Sequence, residues 1–179
     1  MTHLMLDIET LGTRPGCVVM SVALVAFADE AKQVQINLGV AEQQARGLET
    51  DAQTQAWWTQ QDPVAWNAAT CARAPVDIAL DYLTQWIQWA AGGAEPLIWC
   101  HGATFDAPIL GELYRRFERS PPWQFWNVRD TRTLYDLAGV NVKDFAVPPP
   151  HVALNDAIAQ TRAANAALKI IATNRGLVA

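Results

Sequence analysis

Cysteine is too scarce in this chain to build a fold on. Cys17, Cys71 and Cys100 are the only three, they are widely scattered, and no two have metal-ligand spacing, which excludes a disulfide framework or a thiolate metal site. Cys17 and Cys100 fall in apolar, strand-like segments, so both are expected as buried free thiols, which fits a reducing cytoplasm. Long apolar runs are missing too. No stretch approaches the roughly 18–20 uninterrupted apolar residues that cross a bilayer. The amino terminus, Met-Thr-His-Leu-Met-Leu-Asp, lacks the basic region of a secretory signal and meets an acid almost at once. The expectation is a cytoplasmic protein with no membrane partner. Basic charge is also short: 13 Lys and Arg stand against 18 Asp and Glu, a net charge of −5. Broad adsorption to a nucleic-acid duplex needs basic surface and is disfavoured. Local phosphate contact is not, since 10 of the 13 cations are arginines.

What is present is an ordinary globular mixture. With 51% apolar and 17% charged residues over 179 positions, the chain is expected to form one domain, residues 1–179, with a sizeable core. Leu4 to Ile8 reads as a buried central strand and Cys17 to Ala28 as a longer one. Asp29-Glu30 reads as a turn, after which Val34, Ile36 and Leu38 alternate with Gln35 and Asn37, the period of a half-exposed strand. Three antiparallel strands therefore open the fold. Helices are expected from Thr54 to Gln61, ending at Asp62-Pro63, and from Pro75 to Ala91, with Ile78, Leu80, Leu83, Trp86 and Ile87 as the buried stripe and Gly92-Gly93 as the stop. Leu97 to Cys100 reads as another buried strand, followed by helices at Ile109 to Phe117, Thr131 to Leu137 and Leu154 to Thr173. The prolines at 148–150 block any helix. No repeat or interdomain linker interrupts this order, which predicts one α/β domain. Eight tryptophans are many for this length, and an exposed patch at Trp123 to Trp126 makes a homodimer a candidate arrangement.

Four acids and one histidine stand in distinctive local settings: Asp7 and Glu9 in Leu-Asp-Ile-Glu-Thr, Asp106 in Ala-Thr-Phe-Asp, and His151 and Asp156 in His-Val-Ala-Leu-Asn-Asp. Asp7 and Glu9 are two apart on a strand and project from one face, opposite Leu4, Leu6 and Ile8. Two adjacent carboxylates on a central strand repel each other and resist desolvation unless a cation lies between them. Asp106 follows a buried strand and opens a helix, where it or Thr104 could simply cap. Asp156 lies in the first turn of the last helix, where an acid also gains from the helix dipole. The prolines before His151 place it in a loop that can bend back over Asp156. His101 reads as a strand-end residue and His3 as structural or exposed. Together the acids suggest a metal-binding cluster assembled by folding, equipment for cutting phosphodiesters.

The order Asp-x-Glu, Phe-Asp and His-x-x-x-x-Asp resembles the DEDDh branch of the DnaQ-like 3′–5′ exonucleases, which have an RNase H-like fold. The longer strings Leu-Asp-Ile-Glu-Thr-Leu-Gly-Thr-Arg-Pro-Gly, Trp57-Trp58-x-x-Gln61, Arg129-Asp-Thr-Arg-Thr and His151-x-Ala-Leu-x-Asp156-Ala-Ile-x-Gln160 are similar to the small exonuclease group of phages and prophages, related to phage exonuclease A and a mycobacterial exoribonuclease. The resemblance runs from about residue 3 to residue 170. It implies an RNase H-like mixed sheet, an antiparallel three-strand meander plus parallel strands, flanked by helices. It also implies Asp7, Glu9, Asp106 and Asp156 as ligands of two Mg²⁺ or Mn²⁺ ions, about 4 Å apart and bridged by Asp7, with His151 as general base. The substrate implied is single-stranded RNA or DNA with a free 3′ end, degraded to nucleoside 5′-monophosphates. The sister branch has tyrosine four residues before the last acid; Val152 occupies that position here. One departure falls at Cys100-His101, where the family usually carries asparagine.

Other roles are open at this level. Backbone at Thr10, Leu11 and Gly12 could approach the terminal nucleotide, glycine allowing close contact, and Phe105 could stack on a base. Trp57-Trp58 could stack likewise or belong to the core, the core being favoured. Arg129, Asp130 and Arg132 read as a structural ion network ahead of a phosphate clamp. An aspartyl-nucleophile phosphatase also opens with a strand and paired acids, but its second acid is not glutamate and it leaves His151 without a task. The alternative of another class is a nucleic-acid-binding module with a vestigial nuclease fold.

Overall fold

The computed structural model describes residues 1–176. Its centre is β1 (Thr2–Thr10), hydrogen-bonded along both edges. On one side β1 pairs antiparallel with β2 (Val19–Ala26), which pairs antiparallel with β3 (Asp29–Asn37); on the other it pairs parallel with β4 (Pro96–Cys100), and β4 with β5 (Val128–Asp130). The five-stranded order β3-β2-β1-β4-β5 is the mixed sheet implied by the sequence motifs.

Helices cover both faces. Between β3 and β4 come α1 (Val40–Ala45), α2 (Ala52–Trp58), α3 (Pro63–Thr70) and α4 (Val76–Ala91). After β4 follow α5 (Asp106–Arg116), α6 (Thr131–Ala138) and α7 (Ala153–Asn174). Side-chain alternation along β1 divides the interior into two cores. Leu4, Leu6 and Ile8 join Val22, Leu24 and the apolar faces of α4 and α5. Met5 points the other way, with Ala23, Val25 and Trp99, against Ala157, Ala163, Ala164 and Ala167 of α7. A stripe of alanines lets that helix lie close to the sheet, so residues in its first turns come near the end of β1.

Several expected boundaries shift. The β2–β3 turn falls at Phe27-Ala28, because Asp29 already pairs with Ala26. Strand β2 begins at Val19; Cys17 makes only an isolated bridge with Glu49. Asp62-Pro63 starts a helix as well as following one: the Asp62 carboxylate accepts from the Val64 amide and Pro63 occupies the first turn, the arrangement proline favours. Asp51 caps α2 two residues earlier than expected. Helices α3 and α1 and the three-residue β5 lack a periodicity long enough to read. Ile78 is 63% exposed, off the stripe formed by Val76, Leu80, Leu83 and Ile87. All three cysteines are free, Cys17 and Cys100 buried and Cys71 exposed. Among the described residues no helix is long and apolar enough to cross a membrane.

The end of β1 is held by a buried side chain. Gln43 of α1 donates to the Val19 carbonyl at 2.7 Å and accepts from the Val19 amide at 2.8 Å, completing the strand next to Thr10, which Val19 faces. Gln43 is wholly buried, and its replacement by an apolar residue leaves both Val19 groups unpaired. Gln43→Leu is expected to destabilise the fold by about 2–4 kcal/mol, read as a lower urea midpoint with unchanged slope. An unchanged midpoint would mean that water replaces the glutamine.

Candidate active site

The carboxyl ends of β1 and β4 lie side by side, at the point where the chain order in the sheet reverses, a position where α/β sheets place ligands. The parallel pairing stops at Leu6↔Cys100, and beyond it the strands open. Asp7 and Glu9 project there on the α7 side, and Glu9 is 8% exposed. Asp106 is the first residue of α5, 4% exposed. It does not cap the helix: Phe105 is the capping residue and makes no side-chain bond. The amides of Asp106 and Ile8 lie toward the Asp106 carboxylate and draw its pKa downward, the Ile8 amide having no β4 partner where that strand ends. Asp156, in the first turn of α7, likewise serves no capping role. It accepts the His151 amide at 2.9 Å and so fixes the loop bearing the histidine. His151 has φ of +61°, a left-handed conformation that costs about 1–3 kcal/mol in a residue other than glycine. Its ring stands edge-on to Trp57, centroids 4.8 Å apart.

The five residues thus meet. One oxygen each of Glu9 and Asp156 and a ring nitrogen of His151 lie within 4.8 Å of one another. Burial, followed by repulsion from Asp106, Glu9 and Asp156, raises the Asp7 carboxyl well above its ordinary value. Glu9 is pushed up to about 8 by burial and by Asp156 and Asp106. Asp106 rises to about 7 through burial, against the pull of its two amides. Asp156 is raised by burial, with the His151 amide opposing. Four acids held this far above their usual range have no ion-pair partner among the described residues, and hard oxygen donors suit a divalent cation such as magnesium or manganese. A fifth group fits the same reading. Gln160 of α7 donates to Asp7 Oδ1 at 2.7 Å, while its own Oε1 is buried without a hydrogen-bond partner.

Around the acids the expected contact residues divide. Thr10, Gly12 and Phe105 line one cavity with Trp57. Leu11 turns into a neighbouring apolar cavity with Trp58 and Trp66, and its backbone is engaged, its amide with Val18 and its carbonyl with Asp51. Its amide is therefore taken up by the fold, while its carbonyl keeps one lone pair. Gly12 has a packing reason of its own, since a β carbon there would stand 2.6 Å from the Cys17 β carbon. The tryptophan pair also splits: Trp58 is buried and donates to the Thr10 carbonyl at 2.9 Å, while Trp57 is 40% exposed. The expected Arg129–Asp130–Arg132 ion network does not form among the described residues. Asp130 caps α6 and ties the Ala103 amide at 2.8 Å, and Arg129 donates to the carbonyls of Trp126 and Val128. His101 sits on the cavity wall. Thr131 Oγ1 donates to the Cys100 carbonyl and so can only accept from His101 Nδ1 at 3.0 Å, leaving Nε2 without the proton. His3 is structural, receiving the Trp99 indole N–H and stacking on that ring.

Comparison with known proteins gives the family. A match to the 3′–5′ exoribonuclease Rv2179c-like domain spans residues 2–168. The chain belongs to that family. It is therefore placed among the 3′–5′ exonucleases, which are phosphodiester hydrolases. A curated relative, the exodeoxyribonuclease of Enterobacteria phage T4, is 27% identical over 183 residues, covering 83% of this chain and 77% of the relative. Among solved structures, the nuclease domain of 3′hExo, a DEDDh family member bound to rAMP, aligns with a TM-score of 0.60 at 10% identity, over 98% of this chain and 93% of that one. At that identity the likeness is one of fold.

The raised carboxyls carry a sign for stability. The folded state holds these protons more tightly than the unfolded chain, whose acids titrate near about pH 4. Their contribution is therefore complete below about pH 4 and is lost as pH rises through about 7 for Asp106 and about 8 for Glu9. In chelator, the melting temperature is expected to fall between pH 5 and pH 8, and Asp7→Asn, by relieving repulsion, to raise it at the alkaline end. A wild-type melting temperature that stays flat across that interval would show the acids to be ionised throughout.

Proposed function

We propose that the chain is a metal-dependent 3′–5′ exonuclease that hydrolyses single-stranded nucleic acid to nucleoside 5′-monophosphates. The observation that carries this reading is the convergence of Asp7, Glu9, Asp106 and Asp156, all with raised carboxyls, beside a histidine bound through its backbone to one of them. These acids would hold two divalent cations, Mg²⁺ or Mn²⁺. When bound, the cations supply charge neutralisation at the phosphate and a lowered pKa for water.

The chain's own residues do the rest. His151 accepts the proton of the attacking water at the ring nitrogen that lies near Glu9 and Asp156. Asp156 holds the His151 amide and Trp57 flanks the ring, so the imidazole is aimed before substrate arrives. Gln160 orients Asp7. Thr10, Gly12 and Phe105 line the space for the terminal nucleotide, with Leu11 and Trp58 supporting that wall from the adjoining cavity. Exposure of Phe125 and Trp126, 82% and 58%, supports a homodimer through that face.

The deciding experiment is digestion of 3′- and 5′-labelled single-stranded RNA and DNA oligonucleotides with Mg²⁺, Mn²⁺ or chelator. Stepwise, metal-dependent shortening from the 3′ end is expected, and the faster substrate assigns the sugar preference. No cleavage of either under any metal would leave a binding module of the same fold. His151→Ala is expected to keep its melting temperature and to lose about 10²–10⁴-fold in turnover. Near-normal turnover would remove His151 as the base.

A further inference from the structure

Two cavities of opposite character meet at Glu9. The space of about 510 Å³ beside Thr10, Trp57 and Phe105 has no lysine or arginine on its wall. A larger space of about 750 Å³ extends from the acids to Arg132 and Lys143. Ile8, Glu9 and Phe105 line both, so the two form one trough with its cations in one half.

The fold does not account for either cation. Arg132 is the second residue of α6, at the positive end of the helix dipole, where a cation costs stability. Its guanidinium lies against Gly102, where φ is +114° and a β carbon would stand 3.6 Å from Arg132 Cζ. Lys143 is exposed in the 3-10 turn Val142–Phe145. Neither takes part in an ion pair among the described residues. Both stand on the wall of the trough, and Arg132 is near enough to pull the Asp106 and Asp130 carboxyls downward.

We propose that Arg132 and Lys143 bind phosphates of the polynucleotide on the 5′ side of the scissile bond, so that the strand enters across them and its last nucleoside reaches the cation-free half beside Trp57 and Phe105. This rests on the exonuclease reading above and adds a direction to it. The last nucleoside of a 3′ end presents a base, a sugar and a hydroxyl, which aromatic faces and neutral polar groups hold. Each nucleotide upstream adds an anionic diester, which fixed cations on the wall attract. A guanidinium in a free fork geometry is suited to that role.

The test compares a single-stranded oligonucleotide with a dinucleoside monophosphate, whose only phosphate is the scissile one. For R132Q/K143Q the oligonucleotide KM is expected to rise on the order of tenfold at low salt. The slope of log kcat/KM against log salt should shrink by about 0.7 for each phosphate that is no longer neutralised. Turnover of the dinucleoside monophosphate should not change, the melting temperature should hold or rise slightly, and R132K/K143R should restore the oligonucleotide KM. Equal losses on both substrates would assign the charges to the acid cluster and overturn the proposal, as would an unchanged oligonucleotide KM and salt slope. If the wild-type chain cleaves neither substrate with Mg²⁺ or Mn²⁺, the exonuclease reading fails first and this inference with it.

Discussion

Strand β1 is hydrogen-bonded on both edges as far as Leu6, and then loses its parallel neighbour while keeping its antiparallel one. That asymmetry at the strand end is what the site depends on. Alternation along a doubly paired strand leaves its side chains no choice of face: Leu4, Leu6 and Ile8 are committed to one core, so Asp7 and Glu9 must rise toward α7. Because β4 stops at Cys100, the Ile8 amide has no ladder partner on that side and faces Asp106, which arrives at the head of α5. A longer β4 would use that amide in the ladder and keep the third acid away from the first two.

The charge balance of the site is unfavourable by itself. Asp106 and Asp156 both lie in first helical turns, where the dipole offsets part of the cost of a carboxylate. Amides of Ile8 and His151 offset more. Burial still wins, and the acids are held above their ordinary range. The fold thus sustains an arrangement that only protons or cations can neutralise, together with a strained histidine backbone at φ +61°. Features that cost stability and are retained at the mouth of a cavity point to chemistry rather than to packing.

Elements with long periodicity were legible in the residues: β1, the alternation of β3, the stripe of α4 and the alanine-rich α7. Short ones were not. Helix α3 is announced only by Asp62-Pro63, which reads equally as a stop, and β5 is three residues whose strand state comes from lying beside β4. At the site, the acids and His151 were marked by local strings, while the direction of the Leu11 side chain was not legible and the Arg129–Asp130–Arg132 segment was misplaced. Backbone bonding diverts Leu11 into the wall, and Asp130 is taken up by amides rather than guanidinium groups. Neither outcome depends on residue type alone.

Side-chain alternation and helix starts are local properties, and they suffice for the class of fold, the face on which Asp7 and Glu9 lie and the set of acids to be assembled. The packing of distant segments set how closely those acids meet and how far burial raises their carboxyls. It alone turned Gln160 onto Asp7 and separated Trp57 from Trp58. It also put Arg132 and Lys143 on one wall of the trough. Each of these depends on distances between segments far apart in the chain, set by how β1, β4 and α7 pack together, and no local pattern contains them.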